Sequence, residues 1–366
     1  MVDGRIFLVN ADIIIIGGGL SGLALADRLQ QASADYVLLE ARERFGGRIL
    51  STGIDGAAFD LGPAWFWPEQ PRMAALIDRL RLDVFAQFSK GDGVAEDQLG
   101  GVHKGTGYAS MAGSYRMEGG LGSLISRLAT KLTAAAIHLN TKAISIAREG
   151  NAVVVVAECR GRSIVIRGKR VVLSLPPRVA EATIKFAPEL PNEIRGALAA
   201  LPTWMAGQAK ILAVYDYPYW RESGLSGDAV SRIGPLVEIH DASPSKGGPF
   251  ALFGFVGTPP EIRKRGHEAM KQAAKDQLAR LFGDELREPR QMLVQDWSED
   301  TLIATPADCL PLESHPAFDR PRVLNDLWNG RLRFSGTETA THFGGYLEGA
   351  LEAAEDTAVR LSGEAI

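Results

Sequence analysis

The sequence predicts an α/β chain of two intertwined domains, and three observations predict it. A β-branched run, Asp12 to Ile16, passes at once into Gly17-Gly18-Gly19-Leu20-Ser21-Gly22 and then into a helical pattern through Leu29. A second apolar strand, Tyr36 to Leu39, ends on Glu40. Near the other end, Leu332 to Phe334 reads as a strand, Gly336-Thr337 as a turn, and Gly345 as the opening of a last helix. At 366 residues the chain exceeds the size at which single cores stop growing, so two domains are expected.

The first element is strand, glycine turn, helix, and each glycine has a physical task. Gly17 permits the sharp turn, Gly19 lets the backbone approach a pyrophosphate, and Gly22 lets the helix pack closely on the strand. The N–H groups at the helix start, including those of Leu20 and Ser21, offer positive dipole to phosphates. Glu40 comes where a dinucleotide site needs a carboxylate to accept ribose hydroxyls, and its charge disfavours a 2′-phosphate. The motif predicts a Rossmann-like dinucleotide-binding domain.

Composition agrees and excludes other classes. Glycine is enriched, 40 residues in 366, against a usual level of roughly 7 %, which suits tight turns and close ligand approach. Net charge is −4 with Lys and Arg scattered, so no nucleic-acid partner is expected. Cys159 and Cys309 form no CxxC pair, and His240, His315 and His342 have no ligand spacing; no metal is expected. The apolar stretch Ile13 to Ala26 is too short and too glycine-rich for a membrane span. A soluble, cytoplasmic protein is expected, either monomer or homodimer.

The residues after the first motif carry a family resemblance. Glu40-Ala41-Arg42-Glu43-Arg44-Phe45-Gly46-Gly47-Arg48 resembles the N-terminal signature of the flavin-containing monoamine oxidase family, the FAD-dependent amine oxidases. Phe334-Ser335-Gly336-Thr337-Glu338-Thr339-Ala340-Thr341-His342-Phe343-Gly344-Gly345-Tyr346-Leu347-Glu348-Gly349-Ala350 is similar to the family's C-terminal flavin segment. The resemblance spans nearly the whole chain. It implies a two-domain FAD-binding Rossmann-like fold of the amine-oxidase type. It further implies that Arg42 and Arg48 neutralise or orient the cofactor, and that Gly46 and Gly47 lie along its pyrophosphate and ring.

Several further residues take roles from the same resemblance. Gly62-Pro63-Ala64-Trp65 resembles the segment beside the flavin ring, with Pro63 where relatives carry glycine, which removes one N–H. Ala143 matches a backbone contact to adenine. Gly336, Thr337, Gly345 and Leu347 lie against the ring, and Tyr346 matches one wall of an aromatic cage. Lys210, entering the apolar run Ile211-Leu-Ala-Val-Tyr215, needs a reason for its burial; it resembles the lysine that holds a water near the flavin and assists reoxidation. Trp297 matches a tryptophan packed near both. The family's flavin-bonding cysteine and second cage tyrosine are replaced by Pro306 and Ala307, so FAD is expected to be non-covalent and Cys309 structural. Phe66, Trp67, Trp204 and Tyr108 are the candidates for a replacement wall.

The implied chemistry is oxidative deamination of a small amine, monoamines favoured, with O2 reduced to hydrogen peroxide. Catalytic roles fall to Lys210, Tyr346 and Trp297. A flavin desaturase or porphyrinogen-type oxidase, or a non-catalytic flavoprotein subunit, stays open. The expected domains are 1–67, 116–177 and 298–366 for FAD, and 68–115 with 178–297 for a reduced α+β substrate domain. In the latter, strands are expected near Lys210 to Tyr215, Ala251 to Val256 and Met292 to Gln295. An amphipathic helix is expected at about Glu261 to Leu281, its Lys and Arg residues solvated.

Overall fold

The computed structural model describes residues 7–106, 110–264, 266–309, 312, 314–316, 318 and 320–363. Its first layer is a parallel sheet in the order Ile137–His138, Tyr36–Leu39, Ile13–Ile16, Arg170–Leu173, Leu332–Phe334. Both faces are covered, as a parallel sheet requires, and the Ile13–Ile16 strand is buried on every residue. The helices Leu20–Gln31 and Leu347–Gly363 pack on one face through Leu23, Ala24 and Leu351. A second five-stranded sheet, Phe7–Asn10, Arg162–Gly168, Ala152–Cys159, Thr141–Glu149 and Lys185–Ala187, covers the other.

The third sheet has seven strands in the order Gln291–Asp296, Ala209–Tyr215, Phe250–Val256, Leu236–Asp241, Leu225–Ser231, Asp92–Glu96, Val102–Gly105. Its core, centred on Trp220, Tyr215 and Leu278, is separate from those of the first two layers. The described chain is therefore built around distinct cores, and the seven-stranded sheet draws its strands from 92–105 and 209–296.

Three expectations change. The stretch after residue 178 stays with the first layers: Ala180, Leu190, Leu198 and Leu201 are buried in the core between the two five-stranded sheets, and Lys185–Ala187 pairs with Thr141–Glu149. The chain leaves that layer after Leu201, not at 178. The long helix expected from Glu261 is two helices, Pro260–Arg263 and His267–Phe282, because Gly266 adopts an extended conformation between them. Arg263, expected on the solvated face, is buried and donates to both oxygens of Asp296 at 2.7 and 2.8 Å. No helix among the described residues is long and apolar enough to cross a membrane.

Candidate active site

Between the parallel sheet and the seven-stranded sheet lies a cavity of about 620 Å³, within the range of cofactor and ligand sites. One end is the glycine turn. Gly17 has φ +109°, and a Cβ there would lie 2.5 Å from the Ser174 carbonyl oxygen. At Gly22 a Cβ would lie 1.9 Å from the Gly17 carbonyl oxygen, so glycine is what lets the helix approach the strand. A Cβ on Gly19 would meet nothing within 4 Å; this residue borders the cavity itself. The helix it starts has no side-chain cap, which leaves its first N–H groups to a ligand.

Glu40 is buried at the end of its strand, where its two oxygens accept the Gly18 N–H at 2.7 Å and the Arg42 N–H at 2.8 Å. Ala41, Arg42, Gly46 and Gly47 continue the wall, with Ala143 facing them. The Gly46 N–H bonds the Gly18 carbonyl at 2.9 Å, which fastens the second glycine pair under the first turn. Arg42 is ion-paired to Asp300.

At the other end, Arg48 pairs with the fully buried Glu338 at 2.6 Å. Gly62 is sterically required, since a Cβ would lie 2.0 Å from the Arg48 carbonyl oxygen. Lys210 is buried, and its Nζ donates to the carbonyls of Asp60 at 3.2 Å and Gly62 at 2.7 Å. Trp297 Nε1 donates to the carbonyl between them, Leu61, at 3.3 Å. Burial pushes the Lys210 amine down to about 7; the Asp60 charge opposes this and Arg116 reinforces it. Burial conversely raises the Asp60 carboxyl, against hydrogen bonds from Ser51 and the Leu121 N–H.

Pro63, Ala64 and Trp65 continue from Gly62 along the cavity, and Gly336, Thr337, Gly345, Tyr346 and Leu347 close it from the C-terminal segment. The Thr337 hydroxyl donates to the Tyr346 carbonyl at 2.8 Å. Every sequence-predicted site residue thus lines one cavity except Gly22, which packs behind it. Of the candidate second walls, Trp67 and Trp204 line the cavity. Phe66 is turned into the core and stacks on Tyr115, and Tyr108 lies outside the described residues. His315, for which no ligand spacing was found, stacks on Tyr346 with ring centroids 4.7 Å apart and meets Trp204 edge-on at 4.8 Å.

Residues not anticipated from the sequence also line it. Phe255 forms an aromatic face opposite together with Trp65, which the sequence did point to, and Phe253 packs against both and against Lys210 Nζ, 3.9 Å from its centroid. Polar additions include Glu238, Ser174, Gln70 and Gln208. The His/carboxylate group His267, Asp296 and Glu299 has converging ligand atoms, but Asp296 already holds the Arg263 guanidinium.

The residues present fit a dinucleotide. Gly19 offers an open backbone approach, and two buried polar atoms on the wall, Ser174 Oγ and Glu338 Oε2, have no hydrogen-bond partner from the protein. Fold and cavity together define a dinucleotide-binding protein whose cofactor cradle opens onto an aromatic pocket under a separate sheet.

The comparisons make the class specific. Residues 99–362 match the family described as flavin-containing amine oxidoreductase, and residues 15–80 match an NAD(P)-binding Rossmann-like domain. This chain belongs to the flavin-containing amine oxidoreductase family. It is 24 % identical to a probable flavin-containing monoamine oxidase A of Dictyostelium discoideum over an alignment of 447 positions, covering 93 % of this chain and 95 % of that one. It is 35 % identical to the putrescine oxidase of Kocuria rosea over 105 positions, covering 29 % and 22 %. A solved putrescine oxidase, wild type bound to putrescine, superposes with a TM-score of 0.82 at 20 % identity, covering 98 % of this chain and 100 % of that one. Cyclohexylamine oxidase from Brevibacterium oxydans gives 0.78 at 19 %, covering 97 % and 99 %.

Proposed function

We propose that this protein oxidises a small amine at the carbon beside the nitrogen to an imine, which water hydrolyses to the carbonyl compound, while O2 is reduced to hydrogen peroxide. The supporting observation is that Lys210, Trp297 and Tyr346 border the same cavity as Gly19 and Glu40. When bound, FAD supplies the electron acceptor for the amine and the donor for oxygen. The backbone N–H groups after Gly19 hold its pyrophosphate, and Glu40 accepts its ribose hydroxyls.

The protein's contribution is placement and dryness. Tyr346, Trp65 and Phe255 give the amine an aromatic channel that attracts a cation on approach and packs against the neutral amine that reacts. Lys210 sits with its amine held down near neutrality, so it holds a water by hydrogen bonding without fixing a full charge beside the reacting carbon. Attachment of FAD is non-covalent: neither Cys159 nor Cys309 borders the cavity, and both are free thiols, which also suits a reducing cytoplasm. The segments around the parallel sheet form the FAD domain and those of the seven-stranded sheet the substrate domain.

Anaerobic mixing with a panel of amines tests the reading. Bleaching of the bound flavin by at least one amine is expected, followed by peroxide release on admitting air. No bleaching by any amine refutes it. Lys210→Met is expected to retain FAD and bleach normally but reoxidise at least tenfold more slowly; unchanged reoxidation refutes the role given to Lys210.

A further inference from the structure

A second, smaller chamber of about 140 Å³ adjoins the main cavity, and the amine chemistry makes no use of it. Trp204 and Met205 border both spaces, as do Gln208 and Val237. Arg178, Thr203 and Asp308 border only the smaller one. Asp308 organises it. Its side chain is buried, and its Oδ1 accepts both Arg178 Nη1 at 2.7 Å and the Thr203 N–H at 3.0 Å, which sets these two residues side by side. Its Oδ2 accepts the Thr305 N–H at 2.9 Å and the Thr305 hydroxyl at 2.8 Å. Two donors on each oxygen use the acceptor capacity of the carboxylate in full.

Two donors are left over. Thr203 is 2 % exposed, yet its hydroxyl has no hydrogen-bond partner among the described residues, and a buried hydroxyl without one is costly. Arg178 Nε donates to the Ala199 carbonyl at 2.7 Å and Nη1 is taken by Asp308, while Nη2 donates to no described residue. Arg263 also borders the chamber, but all of its nitrogens are engaged by Asp296 and by the carbonyls of Thr258 and Gly207. Val256, Pro259 and Pro260 supply an apolar side. Two adjacent donors, one of them cationic, beside apolar surface match a carboxylate on a short aliphatic stem. An alkylammonium is refused, because it brings further donors to a chamber whose own carboxylate is already filled.

The shared wall connects this chamber to the amine. Met205 holds φ +64°, a left-handed conformation that a residue with a side chain adopts at a cost. Trp204 beside it meets His315 edge-on at 4.8 Å, and His315 stacks on Tyr346 at 4.7 Å. Ring contacts thus run from the chamber to the tyrosine of the main cavity. We propose that the smaller chamber is a binding site for a short aliphatic carboxylate, held by Thr203 Oγ1 and Arg178 Nη2, and that its occupancy tightens amine binding next door. The site stands by itself, whereas the coupling rests on the amine-oxidase reading. Two effects act in the same direction. A filled chamber stops Trp204 and Met205 from yielding when an amine presses on the wall, and added negative charge beside the cavity favours an entering alkylammonium.

Equilibrium dialysis of the FAD-loaded enzyme against radiolabelled butyrate tests the site. Saturable binding of one butyrate per chain is expected. Thr203→Val, which removes the hydroxyl and keeps the shape, should weaken it at least tenfold. Arg178→Lys, which keeps a cation for Asp308 but loses the spare guanidinium N–H, should also weaken it. The coupling is read from anaerobic bleaching by an amine that reduces the wild-type flavin, with and without saturating butyrate. Butyrate should lower the half-saturating amine concentration at least threefold in the wild type and leave that of Thr203→Val where it was. No saturable binding, or binding as tight after Thr203→Val as before, overturns the site. A half-saturating concentration that rises with butyrate means that the acid competes in the main cavity, and overturns the site as well; one that does not move overturns the coupling. Butyrate bound at the chamber with no bleaching by any amine overturns the oxidase reading and leaves the carboxylate site standing.

Discussion

The buried Lys210 should make the protein's stability depend on pH in a direction opposite to that of an ion-paired lysine. Burial lowers its pKa from 10.5 to about 7, while the unfolded chain keeps the ordinary value. Between those values the unfolded state binds more protons, so stability rises with pH through the window and the penalty is complete below it. At 1.36 kcal/mol per unit, holding this site costs about 4 kcal/mol at pH 7 and about 2 kcal/mol at pH 9. Lys210→Met lacks this contribution, and the titrating groups not coupled to Lys210 are common to both proteins and cancel in the difference. Urea unfolding of the FAD-loaded wild type and Lys210→Met at both pH values therefore gives a direct measure. The wild type should gain about 2 kcal/mol on the variant between pH 7 and pH 9. A difference independent of pH would show that Lys210 titrates normally, and the reasoning that makes it a neutral water-holder would fall with it.

Two glycines of the first turn should separate fold from cofactor. Gly22→Ala places a methyl 1.9 Å from the Gly17 carbonyl oxygen and should lower unfolding stability by about 3 kcal/mol, read from the denaturation midpoint. Gly19→Ala meets nothing in the protein, so stability without cofactor should move by less than about 0.5 kcal/mol while FAD affinity, measured by ultrafiltration, falls at least tenfold. Glu338→Gln leaves Arg48 without its buried partner and should cost about 2 to 3 kcal/mol in unfolding experiments; no loss would mean that Arg48 is held by solvent. Acid precipitation should leave all the flavin in the supernatant, and flavin remaining with the pellet would contradict non-covalent attachment.

The range of the physics involved decided which features were legible in the sequence. The glycine positions could be read because the strand–turn–helix pattern is local: Gly17 turns with φ +109°, and Gly22 is dictated by the Gly17 carbonyl of the same turn. Lys210 could be read because a charge in an apolar strand is anomalous wherever the strand lies. Glu238 could not, because its exposure to the cavity depends on the pairing of three strands and on a register shift between Leu236 and Glu238. The strands Asp92–Glu96 and Val102–Gly105 were hidden for a similar reason. Their glycine-rich sequence has weak strand character alone; Asp92–Glu96 is held by pairing with Leu225–Ser231, and Val102–Gly105 by pairing with Asp92–Glu96. Arg263 looked solvated because its helix looked continuous, and the break at Gly266 together with the partner Asp296, 33 residues away, is a tertiary fact.

The segment Asp60-Leu61-Gly62-Pro63 brings these scales together. Its first three carbonyls are each used, by Lys210 Nζ at Asp60 and Gly62 and by Trp297 Nε1 at Leu61. The N–H groups of Leu61 and Gly62 both turn back to the Leu50 carbonyl, at 2.8 and 3.3 Å. The segment therefore faces Lys210 and Trp297 with acceptors, and the loss of the N–H at Pro63 removes nothing from that arrangement. The pyrrolidine ring instead fixes φ where the chain turns along the cavity, stiffening a strap that glycine would leave free. The departure at Pro63 thus serves the placement of Lys210, since a lysine bound to two carbonyls of one short segment is only as well positioned as the segment itself. Pro63→Gly should consequently loosen Lys210 before it affects FAD. Reoxidation should slow several-fold with FAD affinity unchanged, and a variant that loses flavin while reoxidising normally would place the role of Pro63 at the cofactor instead.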